Sequence, residues 1–192
     1  MKIFLVRHGD TKKVESDTIL SKEGFRQAKR VAKRLKNFKI DRVFVSNLTR
    51  AKLTMEEYKK VNPKIKVDIS EDLNEIYRAI LGGPEKEGTS PGREDKDKER
   101  ANRFFDSLLK SKEENIVVFA HGNIIKYFIA RTLNKDPKGF WESSLISNGS
   151  ISIIEKNETV LRVKAINIID HLDREDIKDF YEGEIKNENY VA

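Results

Sequence analysis

The chain has 192 residues, a net charge of +6, 38% hydrophobic residues and no cysteine. This length suits one domain with a full core, residues 1–192, and is too short for two ordinary domains. The missing cysteines exclude disulfides, thiolate metal sites and cysteine nucleophiles, and they fit a cytoplasmic protein. No apolar run approaches the ~20 residues of a membrane span, and the N-terminal MKIFLV is too short for a signal peptide. We therefore expect a single cytoplasmic domain that has no membrane partner.

Short apolar runs alternate with helical patterns along most of the chain. The expected strands are Ile3–Val6, Arg42–Val45, Lys66–Ile69, Ile116–Ala120, Ser150–Glu155 and Val160–Ile168. The expected helices, which carry apolar residues at helical spacing, are Ser21–Asn37, Leu48–Val61, Asp97–Ser111 and Asn123–Leu133. This alternation predicts an α/β fold, a three-layer sandwich with a mostly parallel central sheet and helices on both faces. The last two strands flank a short polar turn, which predicts an antiparallel C-terminal hairpin.

Two segments depart from this alternation. Gly82 to Arg103 contains no large apolar residue, and its first half, about residues 82–96, is predicted to be an exposed loop of the kind that often forms a lid. The tail from about Asp173 is acidic. It carries three apolar residues that could dock a last helix, namely Ile177, Phe180 and Tyr181.

The chain has three histidines, and two of them share the same setting. FLVRHGD and VVFAHGN each place a His-Gly pair directly after an apolar run, at His8 and His121. Ligands of open α/β sheets bind beyond the carboxyl ends of the strands, so parallel strands would bring both histidines to one edge. The adjacent glycines allow a ligand to approach the backbone, and the helix predicted from Asn123 would direct its N-terminal N–H groups there. A lone histidine is usually an ordinary core or surface residue, but the matched pair favours a functional site.

Two arginines accompany the histidines in the sequence. Arg7 precedes His8, and Arg50 in VSNLTRAKLT follows a predicted strand, early in a helix. An arginine stays charged, and its planar fork matches phosphate, so these residues predict an oxyanion pocket with phosphate as the expected ligand. Arg50 could alternatively be a solvated helix residue. Zinc is disfavoured because the chain lacks His-x-x-x-His and His-Glu spacings, and GGPEKEG lacks the Lys-Ser/Thr pair of a P-loop.

Five motifs resemble the histidine phosphatase superfamily, also called the phosphoglycerate mutase-like family. LVRHGDT resembles its signature, and LSKEGFRQAKRVAKRL is similar to its stretch with Gly-x-x-Gln-Ala. VSNLTRAKLT resembles its Ser-x-Leu-x-Arg-Ala-x-x-Thr, LNEI its Leu-x-Glu, and VVFAHGNII its second His-Gly. The motifs occur in the family's order from Met1 to about Leu172.

The resemblance implies a reaction in two displacements. His8 would be the nucleophile that takes the phosphoryl group as phosphohistidine. Glu75 would protonate the leaving oxygen and then act as the base for water. Asp72 and Asp10 are the alternative acids. The resemblance implies no metal and no cofactor, because arginines supply the positive charge.

The other matched residues would hold the substrate. The groups expected on the phosphoryl oxygens are Arg7, Arg50, His121 and the backbone of Gly122 and Asn123. Thr11 and Arg78 are further candidates for substrate binding. His171 either lines the pocket or packs under the expected C-terminal helix, and packing is favoured.

The expected activity is a metal-independent phosphomonoesterase that acts on a small phosphorylated metabolite. A phosphoglycerate mutase is the alternative within the same chemistry, but the short gap between Arg50 and Glu75 favours the phosphatase. A nucleic-acid-binding module on the basic face of Lys29–Lys36 is disfavoured, because that face lacks interleaved aromatic residues. A catalytically inactive scaffold is disfavoured by the intact set of histidines and arginines. The sequence leaves the oligomeric state open, with a homodimer as one possibility.

Overall fold

A computed structural model describes residues 1–158 and 160–177 of the chain. Its main sheet contains strands β1 (Lys2–Arg7), β4 (Arg42–Ser46), β5 (Val67–Ser70), β6 (Asn115–Ala120), β7 (Ile151–Lys156) and β8 (Leu161–Ile168). A separate two-stranded sheet contains β2 (Thr11–Val14) and β3 (Asp17–Leu20). The main sheet has the strand order β5-β4-β6-β1-β7-β8. Strands β5, β4, β6 and β1 pair in parallel, whereas β7 and β8 are antiparallel to their neighbours. The predicted mostly parallel sheet with antiparallel C-terminal strands is confirmed.

Helices cover both faces of this sheet. They are α1 (Lys22–Leu35), α2 (Thr49–Val61), α3 (Arg93–Leu109), α4 (Gly122–Thr132) and the short α5 (Phe140–Ser143). Successive side chains of β1 point to opposite faces, as the pleat of a strand requires. Ile3 and Leu5 pack in the core formed with α3 and α4, whereas Phe4 and Val6 pack in the core formed with α1 and α2. Both faces of β1 are buried, which explains why its apolar residues form a continuous run. Helices on both faces of the sheet confirm the predicted three-layer sandwich.

Two local features differ from the expectation. The hairpin of β2 and β3 was not predicted, because Lys12 to Asp17 are exposed and show no apolar alternation. Helix α3 begins at Arg93 rather than at Asp97, so the preceding loop ends at Gly92 and not at about residue 96. The first turn of α3 contains no apolar residue, and its acidic side chains Glu94 and Asp95 are stabilised there by the helix dipole.

The acidic tail lies along helix α1. Three ion pairs join the two segments: Arg34–Asp170 at 3.2 Å, Arg30–Asp173, and Arg26–Asp176 at 2.6 Å. Two of these pairs occupy Arg30 and Arg34, which belong to the basic face of Lys29–Lys36 that the sequence offered as a nucleic-acid surface. In the described part of the tail, Arg174–Asp176 forms one 3-10 turn. Phe180 and Tyr181, which were expected to dock a last helix, lie outside the described residues.

Candidate active site

The backbone of His8 is held at the carboxyl end of the parallel strands. His8 follows β1, and its N–H donates to the carbonyl of Ala120, the last residue of β6, at 3.1 Å. Its carbonyl accepts from the Gly149 N–H at 3.1 Å and from the Asn148 Nδ2 at 3.2 Å. The position of this histidine is therefore set by β6 and by the loop that precedes β7.

The imidazole of His8 is neutral and presents a lone pair. Its Nδ1 lies 2.8 Å from the Gly9 carbonyl oxygen, which can only accept, so Nδ1 carries the proton. Its Nε2 accepts a hydrogen bond from the Arg50 Nε at 3.0 Å. Burial lowers the pKa of His8 to about 3, against the upward effect of the Gly9 hydrogen bond, and the positive charges of Arg7 and Arg50 add to the decrease. Nε2 is therefore unprotonated over most of the pH range, and its lone pair faces the Arg50 Nε.

Helix α2 fixes the position of Arg50. Arg50 lies in the first turn, and the Thr54 Oγ1 donates to the Arg50 carbonyl at 2.8 Å. The same Thr54 oxygen accepts from the Gly9 N–H at 3.1 Å. The fully buried Thr54 thus joins the start of α2 to the residue after His8. The arginine is partly buried beside His8, which differs from the alternative of a solvated helix residue.

His121 lies against His8 at the adjoining strand end. The two ring centroids are 5.1 Å apart, and His121 is fully buried as the N-cap residue of α4. The Nε2 of His121 lies 2.8 Å from the Oγ of Ser46, which in turn donates to the Asn74 Oδ1 at 2.8 Å. Burial lowers the pKa of His121 well below its ordinary value, and the neighbouring His8 and arginines add to this.

Glu75 lies at the first turn of α4, near Arg7 and Arg50. Its carboxylate receives two N–H groups of the first turn of α4, from Asn123 at 3.3 Å and from Ile124 at 3.1 Å. These bonds and the nearby Arg7 and Arg50 favour the ionised form, but burial outweighs them and raises the pKa of Glu75. A carboxyl group that keeps its proton at a higher pH is suited to act as a general acid.

Arg7 completes the cationic surroundings of the histidine pair. Its Nη1 donates to the Ile146 carbonyl, and its side chain lies against Gly122. A Cβ built on Gly122 would lie 3.5 Å from the Arg7 Nε, which is an ordinary van der Waals distance, so the guanidinium packs directly beside this glycine. Arg7 is close enough to His8 and Glu75 to lower the pKa of both. The strand ends thus bring together two histidines, two arginines and one carboxyl group.

Comparison with known proteins decides the family. Residues 3–169 match the family model described as histidine phosphatase superfamily (branch 1). This chain belongs to the histidine phosphatase superfamily. A Schizosaccharomyces pombe protein named as a probable phosphatase is 30% identical over 186 residues, which cover 82% of this chain and 88% of that protein.

Two further relatives are similar to most of this chain. The mitochondrial serine/threonine-protein phosphatase PGAM5 of Xenopus tropicalis is 33% identical over 164 residues, which cover 79% of this chain and 58% of that longer protein. The solved structure of an Entamoeba histolytica phosphoserine phosphatase, in complex with 3-phosphoglyceric acid, has a TM-score of 0.70 at 23% identity. That match covers 90% of this chain and 99% of the other. Superfamily membership and phosphatase-named relatives support a phosphatase.

Some predicted binding groups of this superfamily member already have partners within the protein. The Asn123 N–H donates to Glu75, and the Asn123 Nδ2 donates to the Ile76 carbonyl at 3.2 Å. The Arg78 guanidinium donates to the Pro84 carbonyl at 2.7 Å, at the start of the exposed loop. Thr11 begins β2, where it pairs with Leu20. The structure therefore places these three residues in structural contacts.

The alternative acids and the third histidine also have structural partners. The Asp10 carboxylate accepts from the hydroxyl of Ser21, the N-cap residue of α1, at 2.6 Å. Asp72 forms an ion pair with the exposed Arg103 at 2.6 Å. The His171 Nε2 donates to the Gly149 carbonyl at 2.9 Å.

Sequence reasoning missed Ser46 and Asn74. Ser46 is hydrogen-bonded to His121, and Asn74 is hydrogen-bonded to Ser46. Ser46 is the last residue of β4, and His8 and His121 directly follow β1 and β6. This shared position at a strand end could have identified Ser46 from the sequence. Asn74 precedes Glu75 in the LNEI motif and had no signal of its own. The described residues, 1–158 and 160–177, contain no group of three His, Asp or Glu side chains arranged to hold a metal ion. None of their helices is long and apolar enough to cross a bilayer.

Proposed function

We propose that this protein is a metal-independent phosphomonoesterase that acts through a phosphohistidine intermediate. The observation that supports this most directly is the neutral His8, whose Nε2 lone pair faces Arg50. Phosphoryl transfer depends mainly on positioning and on neutralising the charge of the phosphoryl oxygens. Arg7 and Arg50 supply positive charge beside the proposed nucleophile, and the ring of His121 packs against it.

The first step transfers the phosphoryl group to the enzyme. The Arg50 guanidinium exchanges its bond to His8 for one to a phosphoryl oxygen, which frees the Nε2 lone pair. Nε2 then attacks phosphorus, and the bond from phosphorus to the ester oxygen breaks. The proton of Glu75 passes to the leaving oxygen, so the product leaves as a neutral alcohol.

The second step returns the enzyme to its starting state. Glu75, now a carboxylate, takes a proton from a water molecule whose oxygen attacks phosphorus. The P–N bond breaks, inorganic phosphate is released and the His8 lone pair is restored. The acid of the first step is the base of the second, so a single carboxyl group serves both.

We propose a small phosphorylated metabolite as the substrate. His8 is only 6% exposed at the end of a buried strand, so a compact ester reaches it more easily than a folded protein does. The relatives named above include a phosphoserine phosphatase and a serine/threonine-protein phosphatase. A comparison of free phosphoserine with a phosphoserine peptide separates the two substrate classes. The compartment we propose is the cytoplasm, on the basis of a chain without cysteine.

The test is hydrolysis of para-nitrophenyl phosphate in the presence of EDTA. Wild type is expected to release inorganic phosphate and His8→Ala is expected to fall to the buffer background. His171→Gln is the matched control, because it removes a buried histidine that binds Gly149 and should retain activity. Activity retained by His8→Ala would overturn the nucleophile assignment. Phosphoryl transfer to a phosphoglycerate without phosphate release would favour the mutase instead.

A further inference from the structure

The segment that carries Glu75 has no regular structure to hold it. Glu75 lies between a 3-10 turn at Glu71–Leu73 and a second one at Arg78–Leu81, so residues 74–77 belong to no helix or strand. Backbone carbonyls in such a segment need partners from elsewhere in the chain. A general acid must also stay within hydrogen-bonding reach of the leaving oxygen, and a displacement of about 1 Å can cost ~100-fold in rate. The residues that hold this segment therefore matter for catalysis.

One arginine of helix α3 binds this segment along its length. The Arg100 Nη1 donates to the carbonyls of Asp72 at 3.0 Å and Asn74 at 2.6 Å, and it lies 3.5 Å from that of Glu71. Its Nη2 donates to the Glu75 carbonyl at 3.0 Å. The Arg100 side chain is 18% exposed, so these bonds are largely shielded from water. A single guanidinium thus holds the backbone up to and including the proposed acid.

Asp97 holds the other side of the same segment. Its Oδ1 accepts from Arg100 at 2.7 Å and 3.0 Å, which orients the guanidinium. Its Oδ2 accepts from the Tyr77 N–H at 2.8 Å, two residues after Glu75. The pair Arg100 and Asp97 therefore fixes the backbone on both sides of the carboxyl group from one turn of α3.

The held segment supplies two contacts to the active site. The Glu75 carboxylate meets the first turn of α4, and the Asn74 side chain meets Ser46, the hydrogen-bond partner of His121. We propose that Arg100 and Asp97 are positioning residues that keep Glu75 in place to protonate the leaving oxygen. The inference rests on the proposed function, because it concerns the acid of that reaction. Arg100 contacts the backbone that carries the acid, so it acts through Glu75.

Arginine suits this task better than lysine does. Its planar group presents several N–H donors in a fixed arrangement and stays charged, whereas a lysine offers one compact ammonium on a flexible stem. Arg100→Lys should therefore restore only part of what Arg100→Ala loses. A matched control lies one turn away on α3. Arg103 also binds this segment, but through the Asp72 carboxylate and not through the carbonyls, and it is 58% exposed.

The test compares leaving groups that need a proton with leaving groups that do not. Release of an alkoxide from glycerol 2-phosphate requires the general acid, whereas release of dinitrophenolate from 2,4-dinitrophenyl phosphate does not. Glu75→Gln is the reference and should lower kcat/KM, which reports the step that releases the alcohol, selectively on glycerol 2-phosphate, by ~100-fold or more. Arg100→Ala should lower the same kcat/KM by ~10- to 100-fold and change kcat/KM on the dinitrophenyl ester by less than ~3-fold. Arg103→Ala should leave the ratio of kcat/KM on the dinitrophenyl ester to kcat/KM on glycerol 2-phosphate at the wild-type value.

The outcomes separate this inference from the function on which it rests. If Glu75→Gln stays selective but Arg100→Ala lowers kcat/KM of both esters equally, the positioning role is wrong and the proposed reaction stands. If Glu75→Gln is itself unselective, the acid assignment fails and the positioning role fails with it. Asp97→Asn, which keeps an acceptor for the Tyr77 N–H but loses the charge, should show the same selectivity as Arg100→Ala. If urea unfolding shows that Arg100→Ala does not fold, Asp97→Asn and Arg100→Lys replace it in the comparison of the two esters.

Discussion

Replacing His8 by glutamine should change how the stability of this protein depends on pH. Burial lowers the pKa of His8 to about 3 in the folded state. In the unfolded chain the same imidazole takes up its proton near pH 6.5. Between these two values the unfolded state binds more protons than the folded state, so stability decreases as the pH falls. His8→Gln removes this contribution, because glutamine does not titrate.

The size of the effect follows from the two pKa values. Each pH unit below 6.5 costs the folded wild type ~1.4 kcal/mol, so the two units between pH 6.5 and pH 4.5 amount to about 3 kcal/mol. Solvent screening reduces this little, because His8 is 6% exposed. The pKa of His121 is lowered by burial first of all, so its contribution to the pH dependence is present in both proteins.

Urea unfolding at pH 7.5 and pH 4.5 measures the difference. The free energy of unfolding of His8→Gln, relative to wild type, should rise by about 3 kcal/mol on acidification. Ser16→Ala, at an exposed hairpin residue without a titrating group, should show no such shift. A relative stability of His8→Gln that stays constant within ~0.5 kcal/mol would refute the claim that His8 is held as a buried neutral imidazole.

Two predictions concern the backbone around His8. Gly24→Ala should lower the free energy of unfolding by ~1–3 kcal/mol, because its Cβ would lie 2.0 Å from the Asp10 carbonyl oxygen. Gly139→Ala is its control, since a Cβ there meets nothing within 4 Å, and equal melting temperatures for the two variants would contradict the prediction. Thr54→Val should lower the free energy of unfolding by ~1–3 kcal/mol and also lower kcat. Valine has nearly the shape of threonine but no hydroxyl, so the buried Gly9 N–H loses its acceptor. Thr54→Ser keeps the hydroxyl, so thermal unfolding and hydrolysis assays should show that it recovers most of the lost stability and most of the lost kcat. If Thr54→Ser is as impaired as Thr54→Val, the role of the hydroxyl is refuted.

Local pattern was sufficient for the fold and for most of the proposed site. A strand buried on both faces must be apolar throughout, so β1, β4 and β6 could be recognised from short runs alone. Parallel pairing then places the residues after β1 and β6 at one edge, which is why two His-Gly pairs distant in sequence could be expected to meet. The sequence by itself determined the layers of the sandwich and the meeting of His8 with His121.

Only the tertiary structure shows which polar groups of distant segments pair with one another. Arg100 is one charged residue in a long charged run, and nothing local distinguishes it from Arg103. Its role arises because α3 packs beside an irregular segment whose carbonyls need donors. Arg78 and Asn123, predicted to bind substrate, likewise found partners in the chain that sequence spacing does not encode. Hydrogen bonds between distant segments depend on how the helices and strands pack together. The hydrophobic periodicity of the sequence shows only which face of each single element is buried, so it cannot predict these bonds.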